Sequence, residues 1–517
     1  MPRLITPVRT VLLLGALLGA ALSWVASDGL TDDTYITLSY ARNVAEHAHW
    51  GLTPGMTSNA ATSPLNVLLL AGFTVLLRPV AGVDPVLALG VLTTVLCAVA
   101  GWCAARAAVR LGVSTAWAGV ALVVVLANPF LVSALGLEVV LLATAMAALL
   151  ATALARRPAL YGVVAGAALL ARLDMVVFVV LIALTAPGVL RRLHVAVGLC
   201  AAVSLPWFAF SWFQLGSAIP DTFVIKTLQH TFGPGRTYLQ GLWTHYHPLM
   251  TTAVVVGVVP AVLGLLVLLA LLVAAAAQGL RRAVTRWRSP EAGPTRRPAA
   301  GPLLGLGLGG VVYFGVYSVL GVPPYQWYYV PPMASLSYVA VLGTAVLARG
   351  ARHRWPVRAW LSLLAPASVV GLALSVPAAA LPVPWGYPPV FGNFATPAQY
   401  RTIGLQVGKL VGDERVASPG EIGTLAYSCR CEIVDAFSDP AAVQGQIEER
   451  TQEAGPVLQA LLRANYARRQ HLEQQPVQQV MRWTAPGTEP PAGTRWWPTT
   501  AGTWQRQDKL MLLPAGS

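Results

Sequence analysis

The strongest pattern along the chain is a series of apolar runs of helical length, broken by short polar stretches. The runs fall near 10–27, 64–80, 85–105, 115–130, 138–155, 159–171, 173–188, 193–214, 251–277, 301–320, 332–349 and 359–381. Crossing a hydrocarbon core takes roughly 20 apolar residues in a helix. The runs do not show the short alternation of a membrane β-barrel. The pattern predicts a polytopic α-helical membrane protein with about 11–13 spans. From residue 383 to 517 the chain is polar, holds Pro and Trp, and has no such run. Helices are expected there over 398–412 and 440–472, the latter with Leu458, Leu461, Leu462 and Tyr466 at helical spacing. Strands are expected over 414–419, 430–436 and the final Trp-containing stretch. The expected architecture is a transmembrane domain over 1–382 and a soluble α/β domain over 383–517.

Composition fits this picture. The 517 residues are 56% hydrophobic and 11% charged, against about 25% charged in soluble domains. The net charge of +14 does not point to nucleic acid. The basic residues cluster in short loops: 1–9, 106–110, Arg156-Arg157, Arg191-Arg192, Arg281 to Arg297 and Arg352 to Arg358. That distribution orients a membrane protein with those loops in the cytoplasm. It leaves 28–63, 131–137, Arg172 to Asp174, 216–250, 321–331 and the C-terminal domain outside the cell membrane. One interval resists. Between residues 28 and 106 two runs occur where the sidedness needs one, so either one run is re-entrant or Arg106 and Arg110 are not cytoplasmic. The Arg- and Pro-rich stretch 278–300 reads as a cytoplasmic linker. The first thirty residues read as an uncleaved first helix rather than a signal peptide. Cys97, Cys103 and Cys200 sit in apolar runs as small hydrophobes. A bond between Cys429 and Cys431 closes a very small ring, so two reduced or separately packed thiols are expected.

Chemistry concentrates in the external segments. Thr31-Asp32-Asp33-Thr34-Tyr35 puts two adjacent carboxylates outside the first run. A carboxylate there can deprotonate an acceptor hydroxyl, and a like-charged neighbour raises its pKa toward that task. Adjacent acids can also hold a divalent cation, although no metal-ligand spacing is present. The plainer reading is a helix N-cap, and one Asp can cap while the other faces a cavity. Arg42, nine residues beyond Asp33, is a phosphate contact or a salt bridge. Asn59 to Pro64 forms a polar floor beneath a substrate, or a helix start with Pro64 in its first turn. Glu138 heads an apolar run and is a functional candidate by its depth. Arg172 and Asp174 hold the vertex of a hairpin or present Arg172 to a substrate. In loop 216–250, Lys226, His230 and Arg236 are candidates for a lipid-phosphate head group. Tyr325 to Tyr329 reads chiefly as an interfacial aromatic belt.

Taken together, Asp32 to Asn43, Gly51 to Gly55 and Thr62-Ser63-Pro64-Leu65 form a pattern that resembles bacterial GT-C membrane glycosyltransferases. Gly136-Leu137-Glu138 is similar to that group's second external motif. Pro220-Asp221-Thr222-Phe223 with Lys226 is similar to its Pro-Asn-Thr-Phe/Tyr-x-x-Lys motif, with Asp221 for Asn. Gly423 through Val434-Asp435 to Ser438-Asp439-Pro440 resembles a recurring tail element. Within the group, the chain looks most like actinobacterial terminal arabinofuranosyltransferases. The spacer Glu46 to Trp50 lacks the Gly-rich run that the pattern calls for. The resemblance implies a multi-pass protein of the cytoplasmic membrane with an extracytoplasmic active site and tail. It implies a polyprenyl-phosphate-sugar donor (decaprenyl-phosphate-arabinose), a cell-wall polysaccharide acceptor, and inversion with Asp33 or Asp32 as base. From residue type and position, Glu138, Asn59, Tyr35 and Arg172 are expected beside the substrate, with Lys226, His230, Arg236 and Arg42 on the phosphate. Two neighbouring readings are a polyprenyl-phosphate-mannose-dependent mannosyltransferase and a transporter or flippase of a lipid-linked sugar. The latter needs charged or broken helices at mid-membrane depth, whereas the acids here sit mainly at helix ends. A third is an assembly subunit whose tail is an interaction module.

Overall fold

The computed structural model describes residues 2–228, 232, 236–288, 300–350, 355–470, 473, 476–484, 487–501 and 506–516. Among the described residues, seven helices are long and apolar enough to cross a membrane: Thr6–Val25, Pro64–Ala81, Pro85–Leu111, Leu193–Gln214, Tyr238–Gly279, Gly301–Val319 and Gln326–Leu347. Shorter apolar helices cover Thr115–Leu126, Val139–Leu154, Pro158–Ala171, Leu173–Leu184 and Ser362–Ser375. Each of these helices falls on one of the apolar runs, so the chain is a multi-pass membrane protein. Local signals set several boundaries. Pro64, Pro85 and Pro158 occupy first-turn positions where the missing amide costs nothing. Gly112, at φ 69°, closes the helix that begins at Pro85. The stretch read as a linker from 278 is helical to Arg288, and 289–299 lie outside the described residues.

The tail carries a five-stranded sheet of β1 (Val416–Ala417), β2 (Ile433–Val434), β3 (Gln479–Trp483), β4 (Arg495–Ala501) and β5 (Arg506–Pro514). Its order is β2-β1-β3-β5-β4. The β1 pairings are parallel and the rest antiparallel. Helices Pro397–Val411, Gly423–Cys429, Pro440–Glu453 and Pro456–Asn465 complete it. The first has a full capping box, Thr396 with Gln399. Cys429 and Cys431 are disulfide-bonded, against the expectation of free thiols. Arg430 adopts the left-handed region, φ 55°, which reverses the chain and brings the two Cα atoms to 5.1 Å.

The tail is packed onto both long loops. One apolar core joins Tyr40, Trp50, Leu52, Ala61 and Val67 to Tyr400, Ile403, Leu425, Ile433 and Leu510. A second joins Val224 and Ile225 to Val443, Ile447 and Leu462. Residues approaching the sheet also lie across the membrane helices. The Trp385 amide donates to the Val25 carbonyl at 2.8 Å, and the Val390 amide to Ser133 Oγ at 2.8 Å. The cavity described next lies where these segments converge.

Candidate active site

Helix Asp32–His47 starts at Thr31, and its two leading acids diverge. Asp32 is buried. Its Oδ2 accepts from the Gly423 amide at 2.9 Å and its Oδ1 from the Thr424 amide at 2.8 Å. Asp32 thus caps helix Gly423–Cys429 rather than its own, and both oxygens are used. The contact requires glycine at 423, since a Cβ there would lie 1.9 Å from the Asp32 carbonyl oxygen. Burial raises the Asp32 carboxyl above its ordinary range, and the amides of Thr424, Gly423 and Ile422 pull it back.

Asp33 lines a cavity of about 620 Å³ together with Ile36, Thr37 and Tyr40. These lie three, four and seven residues on, the same helix face. Among the described residues no other residue donates a hydrogen bond to its carboxylate. Burial lifts Asp33 to about 6; Lys226 opposes the shift and Asp32 adds to it. Lys226 lines the same cavity. Its Nζ lies 5.1, 5.3 and 5.7 Å from the ring centroids of Tyr325, Trp327 and Tyr328, a cation held over aromatic faces. Arg236 is exposed at the rim, with Nη1 3.3 Å from His245 Nδ1. The segment from Gln326 to Tyr329 is buried rather than turned to lipid. That corrects the reading of this stretch as chiefly an aromatic belt: its rings pack around Lys226 and against one another.

Glu138 also lines the cavity. The Gly136 carbonyl accepts from Asn66, and Thr34 Oγ1 donates to the Leu135 carbonyl at 2.8 Å, fastening that turn. Gly136 has φ 96°, and a Cβ there would meet the Thr34 side chain at 2.2 Å. Arg172 Nη1 donates to Glu138 at 2.7 Å and Nη2 to Asp174 at 2.6 Å. Tyr313 also donates to Asp174, at 3.0 Å.

The tail supplies the opposite wall. Glu421 accepts from Asn393 at 2.9 Å, from the Phe394 amide at 3.1 Å and from the Tyr400 hydroxyl. Burial, then the Asp32 charge, pushes Glu421 up to about 8. Asp435 Oδ1 accepts from the amides of Phe437 and Ser438 and from Ser438 Oγ. Both acids line the cavity. Composition and spacing gave no signal for Glu421 and Asn393. Asp435 stands inside the tail element that the resemblance singled out.

Several other candidates lie elsewhere. Arg42, nine residues past Asp33, is two and a half turns on and faces away. Its guanidinium donates to the Tyr427 carbonyl at 2.8 Å and lies 4.6 Å from that ring. Tyr35 also packs on Tyr427, its hydroxyl 3.4 Å from Arg401. Asn59 turns from the cavity to Ser211 and Ser217, each bond near 3 Å, while Ala60 to Ser63 form the wall. Arg172 reaches the cavity only through Glu138. None of these four, expected at the substrate or the phosphate, is among the residues that line this cavity. Asp221 forms an ion pair with Arg469 at 2.9 Å and is not in the wall. His230 lies outside the described residues. Among the described residues no group of three or more His, Cys, Asp or Glu side chains could hold a metal ion.

The spans, the small tail sheet and the cavity between them define a polytopic membrane protein of the GT-C fold. The chain is similar to ArnT from Cupriavidus metallidurans bound to undecaprenyl phosphate, with TM-score 0.50 and 15% identity over 98% of each chain. Against the apo state the TM-score is 0.53, at 15% identity over 96% of this chain and 97% of that one. At this identity the likeness is one of fold. Comparison with protein-family models gave no match, and neither did comparison with curated proteins.

Proposed function

We propose that the chain is a membrane glycosyltransferase that moves a sugar from a polyprenyl-phosphate donor to a cell-envelope glycan. The observation that carries this reading is Asp33, a carboxylate to which no other described residue is bonded, in one cavity with the caged ammonium of Lys226. The shared fold with ArnT, solved with undecaprenyl phosphate, supports the donor class. Asp33 takes the proton of the acceptor hydroxyl as its oxygen attacks the anomeric carbon. The bond from that carbon to the phosphate oxygen breaks on the opposite face, and configuration inverts. Lys226 and Arg236 receive the negative charge of the departing polyprenyl phosphate. Glu138 and Asp435 offer acceptor oxygens to sugar hydroxyls. Arabinofuranose is the sugar indicated by the motif resemblance, and the donor and tail face the outside of the cytoplasmic membrane.

The test uses membranes or proteoliposomes carrying the full chain, given radiolabelled decaprenyl-phosphate-arabinose or polyprenyl-phosphate-mannose and an envelope glycan. Asp33→Asn should reduce transfer about 10²–10⁴-fold, the usual worth of a general base. Lys226→Gln should weaken donor use about 10- to 100-fold, the loss of a charge-assisted bond. Wild-type rates in Asp33→Asn would remove the base assignment. Lipid-linked sugar crossing the bilayer with no glycoside formed would replace the reading with a transporter.

A further inference from the structure

The ten-residue helix Pro456–Asn465 carries an apolar face that its own fold does not cover. Leu462 is buried in the core with Val224, Ile225, Val443 and Ile447. Beside it Val457, Leu458 and Leu461 are 76%, 40% and 63% exposed. They lie at i, i+1 and i+4, one stripe of a helix, with Gln459 and Arg463 on the other side.

The position of the stripe identifies what covers it. The Trp212 indole donates to the Ala464 carbonyl at 3.1 Å. Trp212 and Phe213 form the last turn of the apolar span Leu193–Gln214. That span turns Leu205, Phe210 and Phe213 outward, 59%, 46% and 57% exposed, as a lipid-facing side does. The Arg468 guanidinium lies 5.3 Å from both the Trp212 and Phe213 rings. Phe223, on the neighbouring helix Thr222–Leu228, is 61% exposed. The uncovered stripe is therefore continuous with a span surface that already meets lipid, at the level where the span ends. Trp and Arg anchor at that level in membrane proteins, and an amphipathic helix with a cation at its edge suits the headgroup layer.

We infer that helix Pro456–Asn465 lies in the bilayer interface, with Val457, Leu458 and Leu461 set among the upper acyl chains. Arg468 then stands at lipid phosphates, and Arg463 faces water. The anchor also holds the Lys226 segment at membrane height. Val224 and Ile225 pack on the same core, the Ile219 amide donates to Asn465 Oδ1 at 2.9 Å, and Asp221 pairs with Arg469 at 2.9 Å.

The test uses the full chain with Cys200→Ala, reconstituted in phosphatidylcholine/phosphatidylglycerol nanodiscs. A small fluorophore is placed in turn at Val457→Cys, Leu461→Cys and Arg463→Cys. Nitroxide on the upper acyl chain should quench the labels at 457 and 461 severalfold more than the label at 463, and aqueous iodide should show the reverse order. Two labelled positions on the stripe keep the result independent of local damage at either. Equal iodide quenching at all three positions would overturn the inference by putting the stripe in water. Protection of 457 and 461 from both quenchers would overturn it in favour of a protein surface.

Discussion

Asp32→Asn separates the two adjacent acids by their work rather than by their proximity. Asp32 accepts the amides of Gly423 and Thr424 at 2.9 and 2.8 Å. An asparagine keeps one carbonyl oxygen for one of them and turns an NH₂ toward the other. That leaves a buried amide without a partner, a cost of about 1–3 kcal/mol. The lost charge at the helix N-terminus adds roughly 0.3–1 kcal/mol. The total of about 1.3–4 kcal/mol corresponds to a roughly 10- to 1000-fold rise in local opening. Hydrogen–deuterium exchange on peptides spanning 419–431 reads this directly. Gly423 and Thr424 should exchange faster by that factor in Asp32→Asn and at the wild-type rate in Asp33→Asn. Transfer should fall in both variants, in Asp32→Asn through the disturbed tail wall. Unchanged exchange in Asp32→Asn, or equal loss of protection in Asp33→Asn, would refute the division of roles.

Three further outcomes follow from the same geometry. Asp33 sits at about 6 and must be ionised to accept a proton, so kcat/KM for the donor should rise about tenfold per pH unit below 6 and level off above it. Glu421, at about 8, is neutral at pH 7 and gains a charge beside Asp32 as pH rises. Activity should therefore decline above pH 8, and Glu421→Gln should remove that decline; a pH profile of both proteins checks it. Arg172→Met leaves Glu138 and Asp174 facing each other without their cation. It should destabilise the fold by about 3–5 kcal/mol, seen as a lowered Tm in detergent with wild-type protein alongside.

The spans were legible because their signal is local: a run of apolar residues is a span wherever its neighbours lie. The same holds for helices 397–411 and 440–465, where caps and spacing sit within one or two turns. Helix Gly423–Cys429 was missed for the opposite reason. Ile422 offers no side-chain cap, and the cap that satisfies its amides comes from Asp32, 391 residues earlier. Arg42 illustrates a different limit. It was linked to Asp33 by being on one helix, but nine residues is half a turn out of phase, and the helical face decides what a residue can touch. The cysteine pair failed on backbone conformation: Cys-Arg-Cys closes once Arg430 takes a positive φ, a choice the residue type does not announce.

The tail is part of what makes the cavity. Asp33 stands on a helix whose first acid is bonded into the tail. Lys226 stands on a segment whose apolar side is buried against tail helices. Each of the two opposed charges therefore reaches its place through a contact with residues after 396. Removing those residues would uncover Tyr40, Trp50, Val224 and Ile225 together, at about 25 cal/mol for each Å² of apolar surface returned to water. The membrane helices alone provide Glu138 and the aromatic cage. They do not hold Asp33 and Lys226 in place, on which the proposed base and leaving-group contact depend.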